Sequence, residues 1–403
     1  MKLTYIELQR KITQFINAFL VLVVLFTGGC GNSYTGKQGE KLLTKTQEEV
    51  LQKELVEKAD KLLKDKRYEE ALDAAEQIIK LNLNNAEAWN IRGNALKDLG
   101  KHKEAFKSYD KAISINPDSA GAWFNRGLIL SYLGKDKEAL NSYDKAIALN
   151  PNHSYAWHNR GLILSYLGKD KEALNSYDKA IALNPNHSYA WHNRGNTLRD
   201  LGKDKEALNS YDKAIALNPN NSSAWNNRGN SLRDLGKDKE ALESYDKAIS
   251  INPDYANAWN NRGIILRDLG KDKEALNSYD KAIALNPNNS SAWNNRGNSL
   301  RDLGKDKAAL ESYDKAISIN PDYANAWNNR GLVLRDLGKD KEALNSYDKA
   351  IAFTQHKLVI FLLTLNSVIS VILLVRAVKF EYLYSLTREM GGVFEQLSGY
   401  WFT

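Results

Sequence analysis

The hydrophobic positions of residues 171–186 recur at steps of three and four, the spacing of one face of an α-helix. They are Ala173, Leu174, Tyr177, Ala180 and Ile181. The preceding segment, 156–168, reads AWHNRGLILSYLG and ends at glycine, a residue that often follows the last turn of a helix. The later segment runs into Asn184-Pro185, and proline cannot continue a helix. Neither segment alternates as a strand does, so the sequence predicts an antiparallel pair of helices.

The same pattern returns every 34 residues along most of the chain. Tryptophan marks this period without a slip, at Trp89, Trp123, Trp157, Trp191, Trp225, Trp259, Trp293 and Trp327. The segments 127–160 and 161–194 are identical. A fixed period in this range is typical of a solenoid, in which each unit buries its apolar face only against its neighbours.

The units resemble tetratricopeptide repeats. In the unit that starts at Ser154, the family's signature places four, eight, twenty, twenty-four, twenty-seven and thirty-two hold Trp157, Gly161, Ala173, Tyr177, Ala180 and Pro185. Arg160 takes the seventh place, where the family more often has leucine, and we expect its stem to lie along apolar surface with its head in water. The resemblance implies an all-α fold: a tetratricopeptide-repeat α-solenoid, a right-handed superhelix of antiparallel helix pairs, here with hydrophobic terminal segments.

Eight units carry the full motif over residues 86–353, the last one incomplete at its end. They start at Ala86, Ala120, Ser154, Ser188, Ser222, Ala256, Ser290 and Ala324. A weaker unit, 52–85, keeps the apolar register but lacks tryptophan, glycine and proline. We interpret it as a degenerate N-terminal cap, because end repeats are normally atypical. The residues before it, 30–51, are predicted to form a polar tether.

One residue of the first helix repeats with particular regularity. Asparagine takes the sixth position at Asn125, Asn159, Asn193, Asn227, Asn261, Asn295 and Asn329. A helical wheel places this position opposite Trp157, on a face that includes Tyr155 and His158 and is left to point outward. In related arrays this face lines a concave groove, and the ladder resembles the one in the substrate-binding arm of O-linked N-acetylglucosamine transferase. A carboxamide can pair with both polar groups of a peptide backbone, so the resemblance implies peptide binding; the alternative is a soluble residue copied by duplication.

The rest of this face changes in blocks along the array. The twelfth position is serine in two early units and then arginine, at Arg199, Arg233, Arg267, Arg301 and Arg335. An aspartate follows each of these arginines, whereas Tyr132 and Tyr166 take the thirteenth position earlier on. We predict that the arginines set the selectivity of the groove for a partner that carries both signs of charge. A merely solvated face is the alternative.

The remaining composition argues against catalysis. The net charge of +7 is spread at about one charge per unit, with no dense basic block, so we expect no nucleic-acid partner. Four of the six histidines lie in the two identical units and indicate a duplicated exposed pair, not a metal site. P-loop, H-E-x-x-H and G-x-S-x-G motifs are missing. We therefore predict no enzymatic activity, no cofactor, no metal and no small-molecule substrate.

The only cysteine, Cys30, lies near the start of the chain. It follows a short apolar run, 15–26, that comes after a basic beginning, which is typical of an export signal. Gly28, Gly29 and Cys30 resemble a bacterial lipobox, in which the cysteine is lipidated and becomes the mature N-terminus. We predict a signal or anchor segment at 1–29 and lipidation at Cys30. An uncleaved membrane anchor and ordinary signal cleavage are the alternatives.

The C-terminal tail, 354–403, contains an uncharged apolar run at 358–375. Its length approaches the thickness of a bilayer core, which predicts a transmembrane helix. Arg376, Lys379 and Arg388 follow it and favour a cytoplasmic C-terminus, which agrees with an extracytoplasmic array. A soluble capping helix and a foreign tail joined by recombination are the alternatives.

Together these features predict a non-catalytic adaptor that is tethered to a membrane and holds its array outside the cytoplasm, in the periplasm. The array would bind extended peptide segments of a partner protein in its groove. One alternative is a cytoplasmic scaffold held by its tail. The other is a substrate-recruiting arm for a partner enzyme such as a glycosyltransferase, since the chain has no room for a separate catalytic domain.

Overall fold

The structure, a computed structural model, describes residues 45–354. Every regular element within these residues is an α-helix, which confirms the predicted all-α class. The chain divides into two compact units, with the boundary between Ala95 and Leu96.

The helices of the described residues form nine consecutive pairs, which we number repeats 1 to 9. Odd-numbered helices are the first helix of a repeat and even-numbered helices are the second. Their bounds are α1 Lys45–Lys64, α2 Tyr68–Leu81, α3 Ala86–Asp98, α4 His102–Ile115, α5 Ala120–Tyr132, α6 Asp136–Leu149, α7 Ser154–Tyr166, α8 Asp170–Leu183, α9 Ser188–Asp200, α10 Asp204–Leu217, α11 Ser222–Asp234, α12 Asp238–Ile251, α13 Ala256–Asp268, α14 Asp272–Leu285, α15 Ser290–Asp302, α16 Asp306–Ile319 and α17 Ala324–Asp336. The last helix, α18, covers 340–354 and reaches the end of the described residues.

Repeat 1, in the first unit, has a core of small and aliphatic residues. Ala59 and Leu62 of α1 pack with Ala71 of α2, where an alanine lets the two helices approach closely. Helix α1 begins at Lys45, so its first two turns lie in the segment that the sequence assigned to the polar tether. Residues 45–51 of that segment are therefore helical, because the helical spacing of apolar residues extends upstream into it. The division of the chain into a tether and an array stays a prediction.

The ends of the helices in the second unit follow from glycine and proline. Helix α11 closes with Gly236 at φ +72°, a left-handed conformation that costs glycine little. The N–H of Gly236 donates to the carbonyl of Arg233 at 2.8 Å, and the N–H of Lys237 donates to that of Leu232 at 2.8 Å. These two bonds form a Schellman motif, which satisfies carbonyls that the helix end would leave unpaired.

Each second helix of repeats 2 to 8 stops at an asparagine followed by proline. Asn218 after α10 is extended, with φ −139°, as expected for a residue before proline. The chain then turns, and the side chain of Asn221 accepts a hydrogen bond from the N–H of Ala224 at 3.0 Å. This N-cap starts the first helix of the next repeat. The turn therefore sets the antiparallel pairing and the 34-residue period together.

The core of the second unit depends on one close approach in each repeat. A Cβ on Gly229 would lie 2.5 Å from Cε1 of Tyr245, so only glycine leaves room for that ring. Tyr245 is fully buried. It packs with Leu232 and Ala241 of its own repeat and with Ile265 of the next one.

Within the described part of the second unit, helices contact only their own or a neighbouring repeat. In repeats 3 to 8, each first helix packs against its own second helix and against the first helix of the next repeat. Each second helix also packs against the first helix of the next repeat. This is the architecture of a solenoid of helix pairs, as the 34-residue period predicts.

Repeat 9 ends differently from the others. Its second helix still includes Thr354, one residue beyond the place equivalent to Ile319, because no Asn-Pro stops it. Leu344 and Ile351 of this helix are 62% and 52% exposed, since no further repeat among the described residues covers them. No helix within 45–354 is long and apolar enough to cross a bilayer. The predicted lipidation site Cys30 and the predicted span 358–375 lie outside these residues.

Candidate functional site

Arginine at position 7 joins three helices. Arg228 of α11 donates to Asp212 of the preceding second helix at 2.7 Å and to Ser244 of its own second helix at 2.7 Å. Its guanidinium lies 5.7 Å from the ring centre of Trp225, within the range of a cation–π contact. The same bonds recur for Arg126, Arg160, Arg194, Arg262, Arg296 and Arg330.

This arrangement corrects the expectation that the head of Arg160 lies in water. The side chain is only 22% exposed and its guanidinium is held by Asp144 and Ser176. The bidentate, planar head of arginine suits a site with two acceptors. Position 7 therefore fixes each repeat to the one before it and does not face a ligand.

The predicted asparagine ladder lies on the first helices of repeats 3 to 9, and its amide groups bond to position 5 and position 9 side chains of the preceding repeat. Asn261 Nδ2 donates to Oδ1 of Asn226 and of Asn230 in the preceding repeat, both at 3.1 Å. Asn329 Nδ2 donates in the same way to Asn294 at 3.0 Å and to Asn298 at 3.1 Å. These bonds run from one first helix to the preceding first helix, so the ladder stabilises the stack.

Other ladder asparagines also donate to the preceding repeat where that repeat offers an acceptor side chain. Asn295 donates to Asn260 at 3.2 Å, and Asn227 donates to Asn196 at 2.9 Å. Asn159 instead donates to the carbonyl of Tyr155 at 2.8 Å, and Asn125 lies at the same place on α5. An amide NH₂ has two hydrogens, so Asn261 and Asn329 use both within the protein. Asn261 Oδ1 already accepts from Asn260 Nδ2 at 3.5 Å, so its second lone pair and the Oδ1 of Asn329 are the acceptors left for a ligand.

The residues at position 5 do not face outward as the helical wheel predicted. His158 is 8% exposed, and Asn226 and Asn294 are 4% exposed. The wheel assigns this position to the outer face of a single helix, but the next first helix packs over it. Position 5 is therefore an acceptor in the interface between repeats, and Asn328 is exposed because repeat 9 is the last described repeat.

Histidine replaces asparagine as this acceptor in repeats 4 and 5. Nε2 of His158 lies 3.0 Å from Asn193 Nδ2, and Nε2 of His192 lies 3.1 Å from Asn227 Nδ2. The ring of His158 also lies 4.6 Å from the ring of His187, centre to centre. Since an amide NH₂ can only donate, each of these Nε2 atoms accepts, which requires a neutral ring.

The surroundings of these histidines favour that neutral form. Burial, together with the nearby His187, lowers the pKa of His158 to about 4. Burial and the charge of Arg199 lower the pKa of His192 to about 4. The predicted exposed histidine pair is thus wrong: His158 and His187 are both buried.

The predicted selectivity arginines all pair with the aspartate that follows them. Arg233 lies 3.2 Å from Asp234 and Arg267 lies 3.3 Å from Asp268. The other pairs are Arg199–Asp200, Arg301–Asp302 and Arg335–Asp336. In repeats 5 to 8 the arginine side chain is 27–31% exposed and the aspartate 40–57% exposed. A ligand would therefore meet the carboxylates first.

In repeats 3 and 4, position 13 holds a tyrosine where the later repeats have the aspartate. Tyr132 is 71% exposed and Tyr166 is 85% exposed. The first helices of these repeats carry no charged residue apart from the position-7 arginine. The face thus changes from uncharged and aromatic to charged between repeats 4 and 5, in the order that the sequence predicts.

Within 45–354, no group of three or more histidine, cysteine, aspartate or glutamate side chains could hold a metal ion.

Comparison with known proteins identifies the family. Profiles described as TPR repeat match 93–134, 195–232, 229–266 and 297–334. Others described as tetratricopeptide repeat match 120–153, 154–187, 256–289, 176–209, 278–311 and 324–356. Together they cover the chain from 93 to 356, well over half of its length. The chain belongs to the tetratricopeptide-repeat family.

Among solved structures, the Cut9–Hcn1 hetero-tetramer of the APC/C is 18% identical, with a TM-score of 0.52, over 70% of this chain and 55% of that one. It shows the fold. YrrB, described as a TPR protein with an unusual peptide-binding site, is 28% identical over 46% of this chain and 96% of its own, with a TM-score of 0.41. MamA is 27% identical over 41% of this chain and 96% of its own, with a TM-score of 0.38. A search of curated proteins finds no match.

The prediction from the sequence missed two features of the interface between repeats. It did not assign the position-7 arginines to the interface between repeats, although Arg228 and Ser244 have counterparts 34 residues away in every full unit. It also did not assign Asn230 as an acceptor for the ladder. The signal for the first was present, because an unbroken Arg–Ser separation of 16 residues indicates a bond between the two helices of a unit.

Proposed function

We propose that this protein is a non-catalytic, membrane-tethered adaptor that binds extended segments of partner proteins on its first-helix face, the outer surface of the first helices of repeats 3 to 9. The membership of the tetratricopeptide-repeat family supports a role in protein–protein interaction. The observation that carries the finer proposal is the asparagine ladder. Its seven side chains are partly exposed and repeat once per unit along one face, so they offer polar groups to an extended segment at regular intervals.

The hydrogen bonds of the ladder define how it would contact a peptide. Asn261 and Asn329 donate both amide hydrogens to the preceding repeat. The second lone pair of Asn261 Oδ1, beside the bond from Asn260, and the Oδ1 of Asn329 would then accept N–H groups from the backbone of an extended segment. Such contacts depend little on side-chain identity, so the ladder supplies affinity and its neighbours supply selectivity.

We expect a ladder variant to bind peptides more weakly. Asn193→Ala with Asn261→Ala removes two acceptors, each worth about 1 kcal/mol in a typical hydrogen bond. The affinity should fall by about tenfold. The full-length chain, in detergent, is first screened against a random-sequence peptide array, and the affinity of the best peptides is then measured by fluorescence anisotropy.

The matched control is Asn209→Ala with Asn277→Ala. These asparagines are exposed on the second helices of the same two repeats. The control should bind like the unchanged protein, and both variants should keep the helical circular dichroism spectrum. Equal affinity of the ladder variant and the control would contradict the role of the ladder, and a chain that captures no peptide at all would contradict the proposed function.

The tether rests on the two ends of the chain. Cys30 after an export-like segment would carry a lipid, and the apolar run 358–375 would span the bilayer. The array between them would lie on the extracytoplasmic side. We expect Cys30→Ser to abolish incorporation of a radiolabelled fatty acid while the chain stays in the membrane fraction. A chain that combines Cys30→Ser with truncation after Ala352 should be released from the membrane, and retention of that chain would contradict the tether.

A further inference from the structure

The ends of the first helices form a continuous edge along repeats 3 to 9. We call the residues at position 13 the edge stripe; they are Tyr132, Tyr166, Asp200, Asp234, Asp268, Asp302 and Asp336. All seven side chains are exposed, by 40% or more. The stripe thus presents two aromatic rings followed by five carboxylates, one per repeat.

The charge along this stripe is negative, unlike the chain as a whole. In repeat 5, Arg199, Asp200 and Asp204 all act on the buried Tyr211, which places them together. Repeat 7 has the same set, Arg267, Asp268 and Asp272, around Tyr279. One arginine and two aspartates leave one negative charge in each of repeats 5 and 7. The chain's net charge of +7 therefore does not describe this edge.

Neighbouring basic groups do not cancel this excess in repeats 5 and 7, whereas Lys237 in repeat 6 and Lys305 in repeat 8, where Ala308 takes the place of the glutamate, offset it. The lysine that precedes each second helix pairs with a glutamate three residues later in repeats 3, 4, 5, 7 and 9. In repeat 3, the lysine at position 18, Lys137, lines a hollow on the second helix with Asn141 and Lys145, and the other repeats carry their position-18 lysine at the same place on the second helix. The position-7 arginines are held between helices by Asp and Ser.

We infer that the partner segment is cationic and that it docks along the edge stripe with lysine or arginine side chains. Carboxylates attract such side chains by charge, and the faces of exposed tyrosines attract them by cation–π interaction. Both parts of the stripe thus select the same chemistry. This inference rests on the proposed function and names the class of partner for the same face.

The spacing of the repeats adds a register. Packed helices lie about 8–10 Å apart, and a segment in the extended polyproline II conformation advances about 3.1 Å per residue with three residues per turn, so every third side chain lies on the same face. A segment that runs along the stripe therefore places one side chain in front of each repeat about every three residues. A basic residue at every third position would meet consecutive members of the stripe.

The test compares labelled peptides of equal length by anisotropy on the full-length chain in detergent. One has lysine at every third position, one has the same composition with the lysines in a block, one has glutamate in place of lysine, and one is uncharged. The spaced lysine peptide should bind about tenfold more tightly than the glutamate and uncharged peptides, with affinity that falls as salt rises. Equal or tighter binding of the glutamate or uncharged peptide overturns the inference but leaves the proposed function standing. Equal binding of the block peptide overturns the register, and no binding by any of the four overturns both proposals.

Variants of the protein locate the contact. Asp200→Asn with Asp268→Asn should weaken binding of the spaced lysine peptide by about threefold to tenfold, as two exposed ion pairs allow. The control, Glu243→Gln with Glu311→Gln, removes two exposed charges from the second helices of repeats 6 and 8 and should leave the affinity unchanged. Tyr166→Leu should weaken binding by about twofold to fivefold, while Tyr166→Phe keeps the ring and the affinity. A control variant that weakens binding as much as the aspartate variant overturns the assignment to this edge.

Discussion

Gly229→Ala should lower the free energy of unfolding of the array by about 3 kcal/mol, the upper part of the range for overpacking a core. The new Cβ would lie 2.5 Å, 2.8 Å and 2.9 Å from three ring atoms of Tyr245. The ring is fully buried and its hydroxyl donates to Asn230 at 2.8 Å, so it has little freedom to withdraw. Urea unfolding followed by circular dichroism measures the loss, and hydrogen exchange should locate it in repeats 5 to 7.

Two substitutions control for the general effect of alanine in a helix. Gly121 is also helical, but no atom lies within 4 Å of the place where its Cβ would be. Gly121→Ala should therefore stabilise the protein by about 0.5–1 kcal/mol, because alanine restricts the unfolded chain. Adding Tyr245→Leu to Gly229→Ala should remove the clash and recover part of the loss. Full stability of Gly229→Ala alone would show that the ring can move and would contradict this packing.

Acid should destabilise the junction between repeats 4 and 5, and His158→Asn should reduce this sensitivity. The pKa of His158 is lowered to about 4 in the folded protein from 6.5 in the unfolded chain. The unfolded chain thus binds more protons between these two values, so stability is complete above about pH 6.5 and falls as the pH drops toward 4. The shift corresponds to about 3 kcal/mol. A protonated ring would also lose its bond from Asn193 and repel a protonated His187.

Asparagine is the natural control at this place, because repeats 6 to 9 carry it at position 5. The amide that His158→Asn introduces would accept from Asn193 at every pH, as Asn226 accepts from Asn261. Hydrogen exchange of α7 to α9, measured from pH 7 to pH 4, should show opening in the unchanged protein and a smaller change in the variant. Identical acid sensitivity of the two proteins would assign the effect to other groups.

The fold could be predicted almost completely from the sequence. The spacing of Trp157, Gly161 and Tyr177 defined the helix pair, and the observed helices Ser154–Tyr166 and Asp170–Leu183 fall where the pattern places them. This succeeds because local rules agree at each position: glycine closes the first helix, Asn-Pro closes the second, and the apolar stripe has only one partner surface. In a periodic chain the same rules apply in every unit, so several copies support each prediction.

The candidate site was harder to predict from the sequence than the fold, for a geometric reason. A helical wheel describes one helix, so it shows which side chains share a face but not how near the neighbouring helix comes. His158 and Asn226 appeared as outer residues, yet the next first helix buries both. The direction of the ladder bonds also depends on this distance, since Asn261 reaches Asn226 only when the two first helices are packed. The sequence alone also could not predict that the side chain of Asp234 is more exposed than that of its neighbour Arg233.

The bonds that hold the repeats together also bear on how the chain folds. The position-7 arginines reach partners 16 residues away, and the longest ladder bonds join residues 35 apart. Such separations are small beside the length of the array, which is a low contact order, so the cost of loop closure before each native contact is modest. Folding can begin at any pair of adjacent repeats and extend in both directions. Because these bonds join only adjacent repeats, an array can gain or lose one 34-residue unit without changes in distant repeats. The identical segments 127–160 and 161–194 illustrate this.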